Sequence, residues 1–401
     1  MAEELSYADA LTELDDILNE LEAVDVDVDR LAERVSRAAE LIAICRDRIG
    51  AARIRVDEIV AGLERDLTAE IERWSGLDAL LVDPVSEVHR LVSSGGKRLR
   101  PAFCHWGFIA AGGDVTRAED IDGNVVGAGA AIELTHASAL FHDDVLDDAG
   151  SRRGAETTHR RFERSHSDQG WDGESRRFGE GIAILVGDIA AVLADRYLVD
   201  AHPRAFAMWN ELRIELNIGQ LLDITGSVQG DRRIELADRI CRYKSGKYTV
   251  ERPLHLGALL AGTSDVDEVM SRLSAYGLPL GDAFQMRDDV MGAFGDTSMT
   301  GKPVGGDLRE GKPTPLLARA MASATTAQAK ILEMVGSIDL SDEQVADIQQ
   351  TIVDVGALDE LESLIASNVA SAIQAIESPA IAEAAQQSLI ELAEFITNSS
   401  S

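Results

Sequence analysis

Aromatic side chains make up only 4% of the 401 residues, and cysteine occurs three times, at Cys45, Cys104 and Cys241. The cysteines are odd in number, far apart and in no metal-ligand spacing, so they read as small core residues in a reducing compartment. Strand-like alternation is scarce while alanine is abundant, and hydrophobic residues reach 45%. This predicts a folded, all-α protein. Positive charge is also short: 38 Lys and Arg face 70 Asp and Glu, a formal net charge of -32. Long-range attraction to nucleic acid or an anionic membrane is therefore excluded, and any local basic cluster needs a specific reason. No uncharged run reaches membrane-spanning length; Ile182 to Leu193 is interrupted by Asp188. The opening Met1-Ala2-Glu3-Glu4 is acidic and carries no signal-peptide pattern, so a cytoplasmic location is expected.

What the chain does have is carboxylates in unusual places. Phe141-His142-Asp143-Asp144-Val145-Leu146-Asp147-Asp148 puts four acids at the end of a segment that otherwise reads as a buried helix. Asp143 and Asp147 are one turn apart and share a face, where like charges repel unless a cation lies between them. A second pair, Asp288-Asp289, sits in another helical stretch. Two such helices facing each other would hold Mg²⁺, which prefers a few carboxylates plus the oxygens of a phosphate. The alternative is a solvated acidic face. His142 beside Asp143 reads as a hydrogen-bonding neighbour, since Mg²⁺ prefers oxygen.

Basic turns form the counterpart. Gly95-Gly96-Lys97-Arg98-Leu99-Arg100-Pro101 lets backbone approach an anion and fixes two or more positive charges before a proline-started helix. Arg152-Arg153-Gly154 follows the first acidic helix. Tyr243-Lys244-Ser245-Gly246-Lys247-Tyr248-Thr249 and a stretch from Thr300-Gly301-Lys302-Pro303 to Asp307-Leu308-Arg309-Glu310-Gly311-Lys312 complete the set. Each alone reads as a surface turn. Together with the aspartates they supply what ionising a phosphate ester requires.

The length exceeds one ordinary core, which favours a large domain plus an appendage. Residues 1–64 form that appendage. Leu11, Leu14, Leu18 and Leu21 mark one apolar helical stripe. After Val24-Asp25-Val26-Asp27-Val28-Asp29, a second stripe runs from Leu31 through Ile42, Cys45, Ile49, Val56 and Ile59 to Leu63 in heptad steps. The pattern predicts a helical hairpin or coiled coil whose stripes bury each other or a partner. It has no lysine, which argues against gripping DNA. Residues 65–76 read as a linker or lead-in helix, and 77–401 as a second, larger helical domain.

Two resemblances follow from these residues. Tyr7, Ala10, Leu11, Leu14, Ile17, Leu21 and Glu22, with Cys45 in the longer helix, resemble the exodeoxyribonuclease VII small subunit, which implies a large-subunit partner for residues 1–64. A plain oligomerisation arm is the alternative. From about Leu77 to Leu317 the chain resembles the trans-isoprenyl diphosphate synthases, the polyprenyl synthetase family, with Tyr248-Thr249-Val250-Glu251-Arg252-Pro253-Leu254-His255-Leu256-Gly257 closest to bacterial geranylgeranyl diphosphate synthases. The family's Asp-Asp-x-x-Asp is matched at Asp143, Asp144 and Asp147.

The resemblance implies a helical bundle around a central cavity, a homodimer, and two or three Mg²⁺ per site. The ions would be held by Asp143, Asp147 and Asp288, with Asp144 and Asp289 in the catalytic set. It implies Lys97, Arg100 and His136 as ligands of isopentenyl diphosphate, with Arg153 beside them. Arg152, Lys244, Ser245, Gln285, Lys302 and Lys312 would hold the allylic diphosphate, with Gln220 and Asp223 nearby. One departure stands out: the second motif reads Asp288-Asp289-Val290-Met291-Gly292, with glycine where a third carboxylate is expected. Asp296 is one candidate to replace it. Short-chain relatives place aromatics just before the first motif. Ser138 and Ala139 stand here, leaving room towards Thr135 and Ile132. Geranylgeranyl diphosphate is the expected product, with longer-chain or farnesyl diphosphate as alternatives. A class I terpene cyclase would not need the Gly95-to-Pro101 turn or the acids at Asp288.

Overall fold

The computed structural model describes Arg37 and residues 50–114, 124–295, 305–337 and 339–398. Most of the N-terminal hairpin, including Cys45, together with Asp296 and Lys302, lies outside the described residues. The expected all-α architecture forms, with one small exception.

Helix α1 (Gly50–Ser75) leads into α2 (Val82–Ser93), α3 (Leu99–Ala110) and α4 (Val125–Leu146). A two-stranded hairpin follows, β1 (Ser151–Arg152) pairing antiparallel with β2 (Ala155–Glu156) in the register Ser151 to Glu156. Next come α5 (Thr158–Gln169), α6 (Ser175–Asp195), α7 (Pro203–Gln229) and α8 (Ile234–Ile240). Helix α8 continues through a π-helical stretch, Cys241–Glu251, into α9 (Arg252–Leu260). The long α10 (Val266–Phe294), the short α11 (Gly306–Glu310), and α12 (Pro315–Ser323), α13 (Thr326–Leu332), α14 (Asp342–Asp354), α15 (Ala357–Ile376) and α16 (Glu383–Asn398) complete the body.

Local chemistry explains the boundaries. Asn124 caps α4 by accepting the Gly127 N–H, and α7 starts with Pro203, whose missing N–H is no loss there. Ser341 with Gln344 forms a capping box on α14. Gly170 and Gly230 end α5 and α7 in the left-handed region.

Helix α4 is apolar on all sides and buried almost continuously from Val125 to Ser138, so it runs through the core rather than over it. It opens outward at His136 and then through its last two turns, which lead to the aspartates. Helices α3 and α9 cross backbone to backbone. A Cβ on Gly107 would lie 2.1 Å from the Leu254 carbonyl oxygen, and one on Gly257 would lie 1.8 Å from that of Cys104. One apolar core surrounds α4, with Phe103, Ile132, Leu134, Phe141, Trp209 and Tyr276 fully buried. A second lies beneath the end of α10, built from Met286, Leu316, Ile348, Ile352 and Leu361. The acidic ends of α4 and α10 sit above these two cores.

Helix α1 runs without a break through residues 65–75, the stretch read as a linker or lead-in, so a lead-in helix is what forms. Ile59, Leu63 and Leu67 are buried in the α4 core, and a Cβ on Gly129 of α4 would lie 2.5 Å from Ile59 Cδ1. The heptad stripe therefore ends inside the larger body. Among the described residues, no helix is long and apolar enough to cross a membrane.

Candidate active site

Both acidic segments fall at helix C-termini, Asp143 and Asp144 in the last turn of α4 and Asp288 and Asp289 near the end of α10. The helix dipole makes negative charge unfavourable in the last turn of α4, and burial does so at Asp288 and Asp289, so both pairs of carboxylates need cations. Protein cations meet part of that need. On α4, Asp144 turns inward, 4% exposed, and accepts from Arg152 Nε at 2.6 Å. Asp143 faces the cleft, where Gln220 Nε2 on α7 donates to its Oδ1 at 3.1 Å. Lys244 Nζ lies 3.6 Å from the same oxygen and 2.5 Å from Asp223 Oδ2. Asp147, which ends α4, is 4.0 Å from Lys312 Nζ. His142 leans away, packing on Gly187 of α6 with Nε2 3.2 Å from the Ile184 carbonyl oxygen.

On the facing side, Gln285 Nε2 donates to Asp289 Oδ1 at 2.8 Å. The other oxygen of Asp289, a residue 4% exposed, has no hydrogen-bond partner. Lys312 joins the two acidic sides. Its Nζ, besides approaching Asp147, lies 3.4 Å from Asp307 Oδ1 and 2.7 Å from Glu310 Oε2.

Two cavities share this cleft, with Leu140, Arg152, Ser245, Gln285 and Asp288 on their common wall. The first, about 630 Å³, is lined by Lys97, Arg100, His136 and Arg153. The second, about 460 Å³, is lined by Asp143, Lys244, Asp289, Asp307 and Lys312. The structure thus brings together every sequence-predicted site residue within the described residues, with Asp147 and Asp144 reached through Lys312 and Arg152.

The basic side is held in place by unusual backbone. Arg98 adopts φ 51° between the left-handed glycines and the start of α3, and its guanidinium is bound by Glu133 and the Val92 carbonyl. Gly95 and Gly96 have φ of 87° and 137°. Arg153, at φ 53°, and Gly154, at φ 74°, make the two-residue hairpin turn that matches strand twist. Arg153 Nη1 donates to Ser94 Oγ at 3.1 Å and to the Gly95 carbonyl, locking hairpin and basic turn together. Arg100 stacks 4.7 Å over the Tyr248 ring and its buried Nε has no partner.

Electrostatics follow from crowding. Burial, reinforced by Asp143, pushes the Asp147 carboxyl up to about 6. Asp288 opens onto the cleft but is packed round by protein; that burial raises it to about 6 against the pull of Lys97 and Arg100. Asp289 is driven well above the carboxylate range by burial and then by Asp307. Burial, followed by Arg100 and Arg153, holds His136 well below its ordinary value, so its imidazole is neutral. Burial opposes the Lys244 and Lys312 charges, yet Asp223 and Asp143 around the first, and Asp307 and Glu310 around the second, outweigh it and raise both.

The donor set suits a hard cation: oxygen ligands at two helix C-termini and one orphaned carboxylate oxygen. Among the described residues, no three His, Cys, Asp or Glu side chains converge closely enough to hold a bare ion. A cation here needs a ligand's oxygens as well, which matches the surplus of cationic side chains lining the first cavity, beside the carboxylates that dominate the second. Sequence reasoning missed three contributors. Glu133 and Tyr248 are buried supports of Arg98 and Arg100; Glu133 stood in a segment read as a buried helix, and Tyr248 in a stretch read as a surface turn. Asp307 stood inside a stretch read for its lysines.

A family model described as polyprenyl synthetase matches residues 85–354. One described as exonuclease VII small subunit matches residues 7–58. The chain is 33% identical to the geranylfarnesyl diphosphate synthase of Aeropyrum pernix, over 68% of this chain and 80% of that one. It is 32% identical to the geranylgeranyl diphosphate synthase of Sulfolobus acidocaldarius, over 64% and 73%. Its structure resembles the geranylgeranyl pyrophosphate synthase of Corynebacterium glutamicum, solved with isoprenyl diphosphate and magnesium. The TM-score is 0.77 and the identity 36%, covering 88% of this chain and 98% of the other.

Proposed function

The chain belongs to the polyprenyl synthetase family and is a trans-prenyl diphosphate synthase, and on that premise we propose a metal, a product and a place for each diphosphate. It condenses isopentenyl diphosphate head to tail with an allylic diphosphate, using two or three Mg²⁺ per site held by Asp143, Asp147 and Asp288, to give geranylgeranyl diphosphate. The observation that carries this reading is the single cleft in which acidic ends of α4 and α10 flank a set of lysines and arginines.

Bound there, Mg²⁺ would neutralise the allylic diphosphate and stabilise it as a leaving group. Arg152, Lys244, Ser245, Gln285 and Lys312 orient that diphosphate, and Lys302 belongs with them by sequence. When its C–O bond breaks, the electron pair departs with the diphosphate, and an allylic cation is left beside Leu140 and Phe284. Lys97, Arg100, His136 and Arg153 hold isopentenyl diphosphate so that its double bond attacks that cation. Neutral His136 can donate one hydrogen bond without adding positive charge next to a carbocation. The proton released afterwards goes to the departed diphosphate.

Product length rests on Ser138 and Ala139, small residues before Asp143 that leave room for a growing tail. Homodimer formation is supported by an apolar stripe on α6 and α7, where Leu185, Ile214 and Leu221 are 60%, 56% and 59% exposed. For residues 1–64 the match over 7–58 favours docking on an exonuclease VII large subunit, which a pull-down against that subunit tests.

The deciding experiment incubates labelled isopentenyl diphosphate with dimethylallyl, geranyl or farnesyl diphosphate and separates the products. A C20 product is expected, and Asp143→Ala should abolish turnover while leaving the helical fold intact. Retained turnover refutes the role given to Asp143.

A further inference from the structure

Residues 288 and 292 are four apart on α10 and share one face, so a side chain at 292 would point where Asp288 points. Glycine occupies 292, and the space is filled from elsewhere. A Cβ built on Gly292 would lie 1.9 Å from Asp307 Oδ2 and 2.5 Å from its Cγ. The Asp307 carboxylate therefore rests on bare α10 backbone, in the place where a side chain at 292 would start. The chain is steered into that position by two left-handed glycines, Gly305 at φ 70° before α11 and Gly311 at φ 73° after it. From there Asp307 lines the same cavity as Asp143, Asp288 and Asp289.

A second observation points to a ligand at this spot. Asp289, 4% exposed and lining the same cavity, has one carboxylate oxygen without any hydrogen-bond partner. Leaving such an oxygen unmatched is costly, and a cation or its bound water would match it. The lysine beside Asp307 does not reach that oxygen. Lys312 Nζ pairs with Asp307 Oδ1, Glu310 and Asp147.

We propose that Asp307 supplies the carboxylate that position 292 lacks, so that the α10 acidic rim consists of Asp288, Asp289 and Asp307, and that Gly292 is small in order to admit it. The inference rests on the reading of the cleft as a magnesium–diphosphate site. It assigns Asp307, rather than Asp296, as the replacement carboxylate.

The test uses the full chain and measures Mn²⁺ binding by titration calorimetry and electron paramagnetic resonance, with and without inorganic pyrophosphate. Asp307→Asn keeps the size and removes the charge. It should weaken Mn²⁺ binding in the presence of pyrophosphate by about tenfold or more, or remove one bound ion. Gly292→Ala should do the same by displacing Asp307. The double variant should be no worse than either alone, because both changes remove one interaction. Asp296→Asn should bind as the parent does. Thermal melts check folding, and the isosteric Asp307→Asn keeps the test open if Gly292→Ala does not fold. Parental Mn²⁺ affinity and stoichiometry in Asp307→Asn would overturn the inference, leaving Asp307 as a mere counter-ion of Lys312. Asp143→Asn separates the two readings. If it too binds Mn²⁺ normally, the metal–diphosphate reading itself falls.

Discussion

Gly219→Ala tests whether the π-helical stretch positions the chemistry. Gly219 lies in the middle of α7, where that helix crosses the stretch carrying Lys244. A Cβ at 219 would lie 2.3 Å from the Lys244 backbone nitrogen, 2.5 Å from its Cα and 2.6 Å from the Tyr243 carbonyl carbon. These are main-chain atoms and cannot rotate aside. Restoring ordinary contact, which begins at 3.4 Å, requires the two elements to part by about 1 Å, the difference from 2.3 Å. A π-helix spaces its bonds from i to i+5 and often marks a functional site. Here it presents Lys244 to Asp143 and Asp223, and Ser245 to both cavities. A 1 Å displacement of groups that orient a reacting phosphate costs about 100-fold in rate, equivalent to about 2.7 kcal/mol of barrier. Overpacking costs roughly 1–3 kcal/mol of stability, offset by about 1 kcal/mol of helix propensity gained. Initial rates with saturating substrates, together with thermal melts, measure both. Gly181→Ala in α6 is the control, since a Cβ there meets open space; it should melt slightly higher and turn over normally. A Gly219→Ala enzyme with parental kcat would refute the argument that this crossing sets the site.

Ala139→Phe should shorten the product, read by chromatography, and an unchanged product would place the stop on another helix. Asp147 and Asp288 both titrate at about 6 without metal, above the ordinary 3.8, so they carry protons below that pH and are free to bind cations above it. Mn²⁺ affinity should therefore fall as pH drops from 7 to 5. The folded state holds more protons than the unfolded one between about pH 4 and 6. Metal-free stability should thus decline as pH rises through that window, and Mg²⁺ should reverse the decline; melts across pH check both. Truncation before Gly50 should leave a stable synthase. Truncation after residue 64 removes Ile59 and Leu63 from the core, at about 2–5 kcal/mol each, and should lower the melting temperature sharply.

The site was legible where its chemistry is local in sequence. The spacing of Asp143 and Asp147 placed both on one face, and the intervening Asp144, about a hundred degrees round the helix, is the one that turns inward to Arg152. The all-α fold could be read from alanine-rich stripes and few aromatics. What stayed hidden depends on tertiary approach or special backbone. No periodicity distinguishes the π turns at Lys244 from an ordinary helix. Arg152 and Arg153 read as a turn, and only the positive φ of Arg153 and Gly154 makes it a two-residue hairpin that leaves Arg152 in β1. The apolar stripe of the arm gave no sign that Ile59 and Leu63 pack in the core of the larger body, because a coiled-coil seam and a core face look alike in sequence. Asp307 was hidden for a related reason: the contact that singles it out is with the glycine opposite, fifteen residues earlier.

The unbroken course of α1 has a mechanical meaning. With about 1.5 Å of rise per residue, Gly50 stands about 14 Å beyond Ile59, at the tip of a stiff rod whose root is wedged over Gly129. A rod transmits torque where a tether would absorb it. A load applied at Gly50 therefore bears on the same α4 whose far end carries Asp143.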